Sequence, residues 1–334
     1  SHPDRHVCSL GDAAAHAAFG GMSGAGKSVE VMILSSQMLR SQPDHPFIVV
    51  DPKGDLRDLV KWVAAMLPGL PEVKRERFLA QFQMHAPFRP GCGMHLDLLH
   101  PTGEEPELQA LDATEALAMG LDAQSGTERM WPLCTTALAA GIQAGLHLED
   151  IPRLLEDAVF RRSVIQRLPH GRIKIHLESQ IRGAPPATVH ALLARIHRVL
   201  LTRLSRRLTA GPGCFEWDSR LHSGMTFLDL SNPPSRELVY LFGGVLVARL
   251  MRALLARKVE DDTKPLTVVI DEVHELLTHR SGDSLCRLLA LARARRVAIW
   301  LVFQDLRQLE KRAPDLVPLL QANARHLFVF TSSP

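Results

Sequence analysis

Short apolar runs recur towards both ends of the chain, at residues 46–51, 225–230, 266–271, 297–303 and 327–331. Runs of this length, rich in Val, Ile, Leu and Phe, read as strands buried on both faces, the habit of parallel sheets. Longer apolar or amphipathic segments lie between them, at 29–39, 56–66, 237–258, 284–295 and 314–322, and predict helices. Residues 13–19, rich in alanine, and residues 77–85 are weaker strand candidates. Asp55, in the turn Pro52-Lys53-Gly54-Asp55-Leu56, is placed to cap the helix that runs to about Met66.

From about Glu104 the pattern changes. Helical periodicity covers 105–121, 132–146, 153–158 continuing through 160–168, and 188–208, with a turn at Ser125-Gly126. The last of these sets Leu192, Leu193, Ile196, Val199, Leu200 and Leu204 on one side. Asp150-Ile151-Pro152 reads as an N-cap with a first-turn proline. No convincing strand occurs before about 210, where the strand–helix alternation resumes. The expected fold is therefore α/β, a mostly parallel sheet covered by helices, with an all-α domain inserted in it. The expected division is 1–104 and 211–334 for the sheet domain and 105–210 for the insertion.

Bulk properties narrow this little. A net charge of +3 permits a local basic groove without requiring nucleic acid. The five cysteines, Cys8, Cys92, Cys134, Cys214 and Cys286, form no C-x-x-C pair, which argues against zinc and a disulfide framework and for a reducing, cytoplasmic compartment. The longest apolar run, 238–248, is too short to span a bilayer and is followed by Arg249 and Arg252, so a buried helix is expected. No signal peptide is visible. The chain begins without Met and stops just past a predicted strand, as a piece of a longer protein would; membrane attachment through other segments stays open.

The chemistry enters with Gly21-Met22-Ser23-Gly24-Ala25-Gly26-Lys27-Ser28, which reads G-x-x-x-x-G-K-S. This is the phosphate-binding loop pattern. Gly21, Gly24 and Gly26 let the backbone fold closely round phosphate oxygens, and Ala25 adds an N–H group. The helix that starts near Gly26 contributes its positive end. Lys27 can reach the β- and γ-phosphates of ATP, and Ser28 offers a hydroxyl to Mg²⁺.

A second motif, Thr267-Val268-Val269-Ile270-Asp271-Glu272, is a strand ending in two acids. Beside a phosphate loop, Asp271 would hold Mg²⁺ and Glu272 would deprotonate the attacking water. Gln304 ends the next strand, where a neighbouring parallel strand would bring its amide near the γ-phosphate. Arg293, Arg295 and Arg296 cluster before that strand, in a place that also suits a helix end.

Gly21 to Ser28, Asp51-Pro52-Lys53-Gly54-Asp55-Leu56, 268–272 and 293–304, in this order, resemble the HerA/FtsK superfamily of P-loop motors. Within it the chain is most similar to the conjugative coupling ATPases of the TraG/TraD type used in type IV secretion. Leu154-Leu155-Glu156-Asp157-Ala158-Val159-Phe160-Arg161 is similar to the helical region of that group. The resemblance implies a RecA-like core, an all-α insertion, a homo-oligomeric and hexameric ring, DNA as the load, and secretion-system or relaxosome proteins as partners. It also implies an arginine finger eleven residues before the strand-end glutamine, which falls on Arg293. Ala294 stands where the group often has lysine.

Other motifs are weaker. Asp271-Glu272-Val273-His274 matches a helicase box, but one RecA-like domain is visible and helicases of that kind have two. His274 and His279 are five apart, one more than a zinc-protease helix needs. Gly282-Asp283-Ser284-Leu285 is better explained by a helix cap at Asp283 or Ser284. Arg195, Arg198, Arg203, Arg206 and Arg207 load one helix with charge, which suits a solvated face or contact with DNA phosphates. Aromatic residues are 5% of the chain, so base stacking is not expected to dominate. Three function classes follow: a DNA translocase, a protein-secretion ATPase on the same motor, and a slow nucleotide-dependent scaffold.

Overall fold

The computed structural model describes residues 15–89, 91, 94–119, 129–201 and 215–330, without the side chains of residues 119, 237, 293 and 312. These fall into two compact units. One takes the chain up to 86, then 216–232, then 247 onwards; the other takes 87–215 and 233–246.

The first unit is built on a sheet of seven parallel strands in the order β3-β4-β2-β5-β6-β1-β7. The strands are β1 (Ala17–Gly21), β2 (Phe47–Asp51), β3 (Gln83–His85), β4 (Met225–Asp229), β5 (Leu266–Ile270), β6 (Val297–Phe303) and β7 (His326–Phe330). Four strands, β2, β4, β5 and β6, are buried at every position, which is why they read as continuous apolar runs. Phe47 aligns with Met225 on one side and Thr267 on the other. The alanines and glycines that weaken the signal of β1 suit its place in the sheet. A Cβ on Gly21 would lie 2.4 Å from the Phe330 carbonyl oxygen of β7. At the edge, β7 alternates: Phe328 stacks on Phe19 at 4.7 Å, while Leu327 and Val329 are exposed.

Helices α1 (Lys27–Ser41), α2 (Asp58–Met66) and α3 (Glu72–Gln81) follow the first strands. Two sequence expectations change here. Most of the candidate strand at 77–85 is α3, with only β3 left as strand; Phe78 and Phe82 stand one helical turn apart and stack at 5.9 Å. Asp55 does not cap α2, which starts at Asp58 with no side-chain cap.

The second unit holds α4 (Pro106–Met119), α5 (Met130–Ala144), α6 (Ile151–Glu156), α7 (Ala158–Arg167), α8 (Arg172–Gly183) and α9 (Pro186–Leu200). Leu133, Cys134, Ala137, Leu138 and Ile142 make α5 its buried centre. On α9, Leu192, Leu193, Ile196 and Val199 are buried; Leu204 and the turn at Ser125-Gly126 lie outside the described residues. Asp157 breaks the predicted 153–168 helix in two by accepting from Val159 N and Phe160 N at 2.8 and 3.0 Å. Asp150 does stand at the N-cap of α6 with Pro152 in the first turn, but its carboxylate makes no cap bond to α6; it accepts from His147 N at 3.0 Å, closing the short turn before it.

Helix α10 (Arg236–Ala256) belongs to both units, with residues 236–246 in the helical one and 247–256 in the sheet one. Its stretch Leu238–Ala256 is long and apolar enough to cross a membrane, longer than the run read from sequence, and 78% of the window is buried within the protein. Helices α11 (Val273–Leu276), α12 (His279–Arg295), α13 (Leu306–Arg312) and α14 (Leu316–Asn323) complete the sheet unit. The start of α12 lies ahead of the expected Asp283 or Ser284. Thr278 and Ser281 exchange N–H bonds to each other's hydroxyls there, the reciprocal pattern of a capping box.

Candidate nucleotide site at the carboxyl edge of the sheet

Because every strand runs the same way, all the strand-end motifs arrive at one edge. The phosphate loop leaves β1, Asp51 ends β2, Asp229 ends β4, Asp271-Glu272 follow β5 and Gln304 follows β6. The order places β6 between β1 and β5, so Gln304 stands between the loop and the acidic pair.

In the loop, Gly24 and Gly26 have φ of 78° and 96°, which suits glycine, and a Cβ at either would meet open space. Gly26 is the N-cap of α1 and accepts from Glu30 N at 3.0 Å. Ser28 is the second residue of α1 and half-buried. Lys27 is buried, and its Nζ donates to Gly21 O at 2.6 Å and Met22 O at 2.8 Å. An ammonium has three donors, so one remains beyond these two carbonyls.

Asp271 and Glu272 are 2% and 3% exposed. Glu272 has φ 42° and ψ 45°, the left-handed region that non-glycine residues avoid at a cost of about 1–3 kcal/mol. Its Oε1 accepts from Gln304 Nε2 at 2.5 Å and from Lys53 Nζ at 2.9 Å. Among the described residues Oε2 has no hydrogen-bond partner; His274 Nδ1 stands 3.5 Å from it. Asp271 Oδ2 is likewise buried without a partner. Burial raises the Asp271 carboxyl well above its ordinary range, and the charges of Asp51, Glu272 and Asp55 add to the shift.

A buried carboxylate with a bare oxygen among other acids suits a cation, and beside a phosphate-loop motif Mg²⁺ would be the cation expected. Among the described residues no three His, Cys, Asp or Glu side chains could hold a metal by themselves. Magnesium fits this, since it binds through one or two protein oxygens and fills its shell with phosphate and water.

Lys53 reaches the pair from the turn after β2. Burial alone would lower its pKa, but the hydrogen bond and charge of Glu272, with Glu275 and Asp271 behind, outweigh burial and raise it. That turn is clamped. The Asp51 carboxylate accepts from Lys53 N at 3.1 Å, Gly54 N at 2.6 Å and Leu56 N at 2.9 Å. Burial pushes Asp51 up to about 6, against those three donors. Asp229, opposite Asp51 across β2 and β4, accepts from Arg57 Nε at 3.2 Å and from Ser231 N and Oγ at 3.0 and 2.5 Å. Arg57 also donates to Ser231 Oγ.

The structure thus brings Glu272 and Gln304 into contact, on the edge that also carries the loop and Asp271. Arg293 lies elsewhere. It is in the last turns of α12, ahead of β6, while Gln304 follows β6; seven strand residues separate the two ends by roughly 20 Å. Its side chain lies outside what the structure describes. Arg295 and Arg296 are engaged with their own chain: Arg295 Nη1 donates to Arg257 O at 2.8 Å, and Arg296 Nη1 to Asp261 O and Thr263 O at 3.0 and 2.7 Å. His274 and His279 fall on separate helices, and Gly282 to Leu285 lie within α12.

Sequence reasoning passed over Lys53, Arg57 and Asp229 as site residues. A signal was present: three apolar strands, β2, β4 and β5, each run into an aspartate.

No protein-family model and no curated protein matches the sequence. Solved structures do match. The bacterial conjugative coupling protein TrwB, in its unbound monoclinic form, aligns over 98% of this chain and 73% of its own, at 17% identity and a TM-score of 0.57. TrwB in complex with ADP and Mg²⁺ aligns over 98% and 74%, also at 17% identity and 0.57. VirB4 of Thermoanaerobacter pseudethanolicus aligns over 94% and 76%, at 12% identity and 0.60. At these identities the likeness is one of fold, and it is the fold that the sequence motifs implied.

Proposed function

We propose that this chain is an ATP-hydrolysing motor that translocates DNA, a coupling ATPase of a type IV secretion or conjugation system. One observation carries the reading. The phosphate loop, Asp271, Glu272 and Gln304 converge on one sheet edge, in a fold shared with a conjugative coupling protein solved with ADP and Mg²⁺.

In this reading the N–H groups of Gly21, Gly24, Ala25 and Gly26 and the positive end of α1 cradle the phosphates. Lys27 turns its ammonium to the β- and γ-phosphates. Ser28 and Asp271 would hold Mg²⁺, which neutralises charge on those phosphates. Glu272 takes a proton from the attacking water. Gln304, touching Glu272 from the strand next to the loop, couples the γ-phosphate to the base. Arg293 serves the site of a neighbouring subunit in a hexameric ring. Relaxosome or secretion-system proteins would deliver the DNA.

The test is ATP turnover alone, with single-stranded DNA and with double-stranded DNA. The reading expects DNA to raise turnover. Stimulation by a secreted polypeptide and by no DNA would make protein the load. Slow turnover indifferent to both would point to a nucleotide-dependent scaffold.

A further inference from the structure

We infer that Lys53 is a positioning residue for hydrolysis: with Gln304 it fixes Oε1 of Glu272, leaving Oε2 to face the attacking water. The inference rests on the reading of Glu272 as the base and adds to it the group that orients that base.

Three observations carry it. First, the two oxygens of Glu272 are unlike. Oε1 has two donors, Lys53 Nζ at 2.9 Å and Gln304 Nε2 at 2.5 Å, whereas among the described residues Oε2 has no hydrogen-bond donor, its nearest polar neighbour being His274 Nδ1 at 3.5 Å. A carboxylate pinned at one oxygen can turn only about the axis its donors leave it, so the bare oxygen has a set direction. Second, Lys53 does not hang from a loose loop. Its own N–H is bonded to Asp51, as are those of Gly54 and Leu56, and Arg57 ties the far side of the turn to Asp229 and Ser231. The ammonium is delivered from a fixed backbone, as a positioning group must be. Third, the pair is not a plain stabilising ion pair. The Lys53 side chain is 35% exposed, while Glu272 is buried and holds a left-handed backbone conformation. A half-exposed pair on a strained residue adds little stability.

The step it serves is balanced. A water oxygen forms a bond to the γ-phosphorus, and the bond from that phosphorus to the β–γ bridging oxygen breaks, its electron pair leaving with ADP. The water proton passes to Glu272 Oε2 and from there to phosphate or solvent.

The experiment compares wild type, Lys53→Met, Lys53→Arg, Glu272→Gln and the double variant Lys53→Met/Glu272→Gln. Each is measured for ATP turnover, for equilibrium binding of a fluorescent ATP analogue, and for folding by circular dichroism. Lys53→Met should lower kcat by about 10- to 100-fold, the usual cost of removing a group that orients a reactive one, with nucleotide affinity nearly unchanged. Lys53→Arg should recover part of the loss, because it restores a cation to Oε1. In the Glu272→Gln background, Lys53→Met should have little further effect, since a residue acting through Glu272 has nothing left to act on.

Weaker nucleotide binding with kcat intact would make Lys53 a phosphate contact and overturn the inference. Independent, multiplying losses in the double variant would do the same, as would a Lys53→Met protein that turns over at the wild-type rate. If Lys53→Met were misfolded, the same measurements and the same cycle on Lys53→Gln would decide. A wild-type chain that binds ATP and never hydrolyses it would remove the base reading itself, an outcome seen without any variant.

Discussion

Asp51 is closely held at the candidate site. It is fully buried, and its two oxygens accept three backbone N–H bonds that favour the ionised form. Burial and the nearby Asp229 charge oppose them, and the balance lifts its pKa from 3.8 to about 6. The sign follows from that direction. A raised folded pKa means that the folded protein takes up the proton first, so the contribution is fully present below about pH 4 and lost as pH rises through 6. Asp51→Asn removes the titration. The stability of wild type relative to this variant should therefore fall by roughly 3 kcal/mol between pH 4 and pH 7, as read from urea unfolding at each pH. A flat difference would mean that Asp51 keeps an ordinary pKa. At the same scale, Lys27→Ala removes the charge expected at the phosphates, and a folded variant should show no ATP turnover. Undiminished turnover would remove Lys27 from the site.

At the scale of elements, α10 decides how separable the helical unit is. Its residues 236–246 belong to that unit, and there Leu238, Leu241, Phe242, Val245 and Leu246 are buried; Phe242 meets Phe88 edge to face at 5.9 Å. Removing 105–210 with a short linker would strip most of the unit and leave this apolar half-helix uncovered. Each large apolar side chain returned to water costs about 1.5–3 kcal/mol. The product should aggregate, as followed by size-exclusion chromatography, and a monodisperse folded product would show that α10 needs no cover from the insertion. The residues that look like a compact insertion in sequence are thus completed by a segment from beyond it.

At the scale of the whole molecule, the position of Arg293 bears on assembly. It precedes β6 and Gln304 follows it, so Arg293 and the candidate nucleotide site of one chain stand at opposite ends of that strand. Arg295 and Arg296 hold the same corner through carbonyls of residues 257, 261 and 263. A finger in this place would serve a neighbour, where such a group is worth about 10³–10⁵ in turnover. Specific activity should rise with protein concentration as subunits assemble. Mixing Lys27→Ala with Arg293→Ala should restore part of the activity, because some interfaces then pair an intact loop with an intact arginine. No recovery in a proven mixed assembly would assign the finger elsewhere.

The sequence by itself determined the phosphate loop, the buried parallel strands and the acidic strand end at 271–272, because each is written in residues adjacent in the chain. Glycines, a lysine and a serine at fixed spacing need no distant partner to be recognised. The tertiary structure alone decided what these groups touch. Lys53 and Glu272, Asp51 and Asp229, and Arg57 and Ser231 are far apart in the chain and meet because the sheet order sets β2 between β4 and β5. The same holds for the errors. Residues 77–81 carry apolar positions that suit a strand or a helix; the buried Phe78 packed against Phe82 one turn on selects the helix. Asp55 has the right residue type to cap α2, yet Asp51 already holds that turn by three backbone N–H groups, so the helix begins three residues later. Local pattern names the parts, and long-range packing chooses their partners, because hydrogen bonds and ion pairs depend on distance in space and not on distance along the chain.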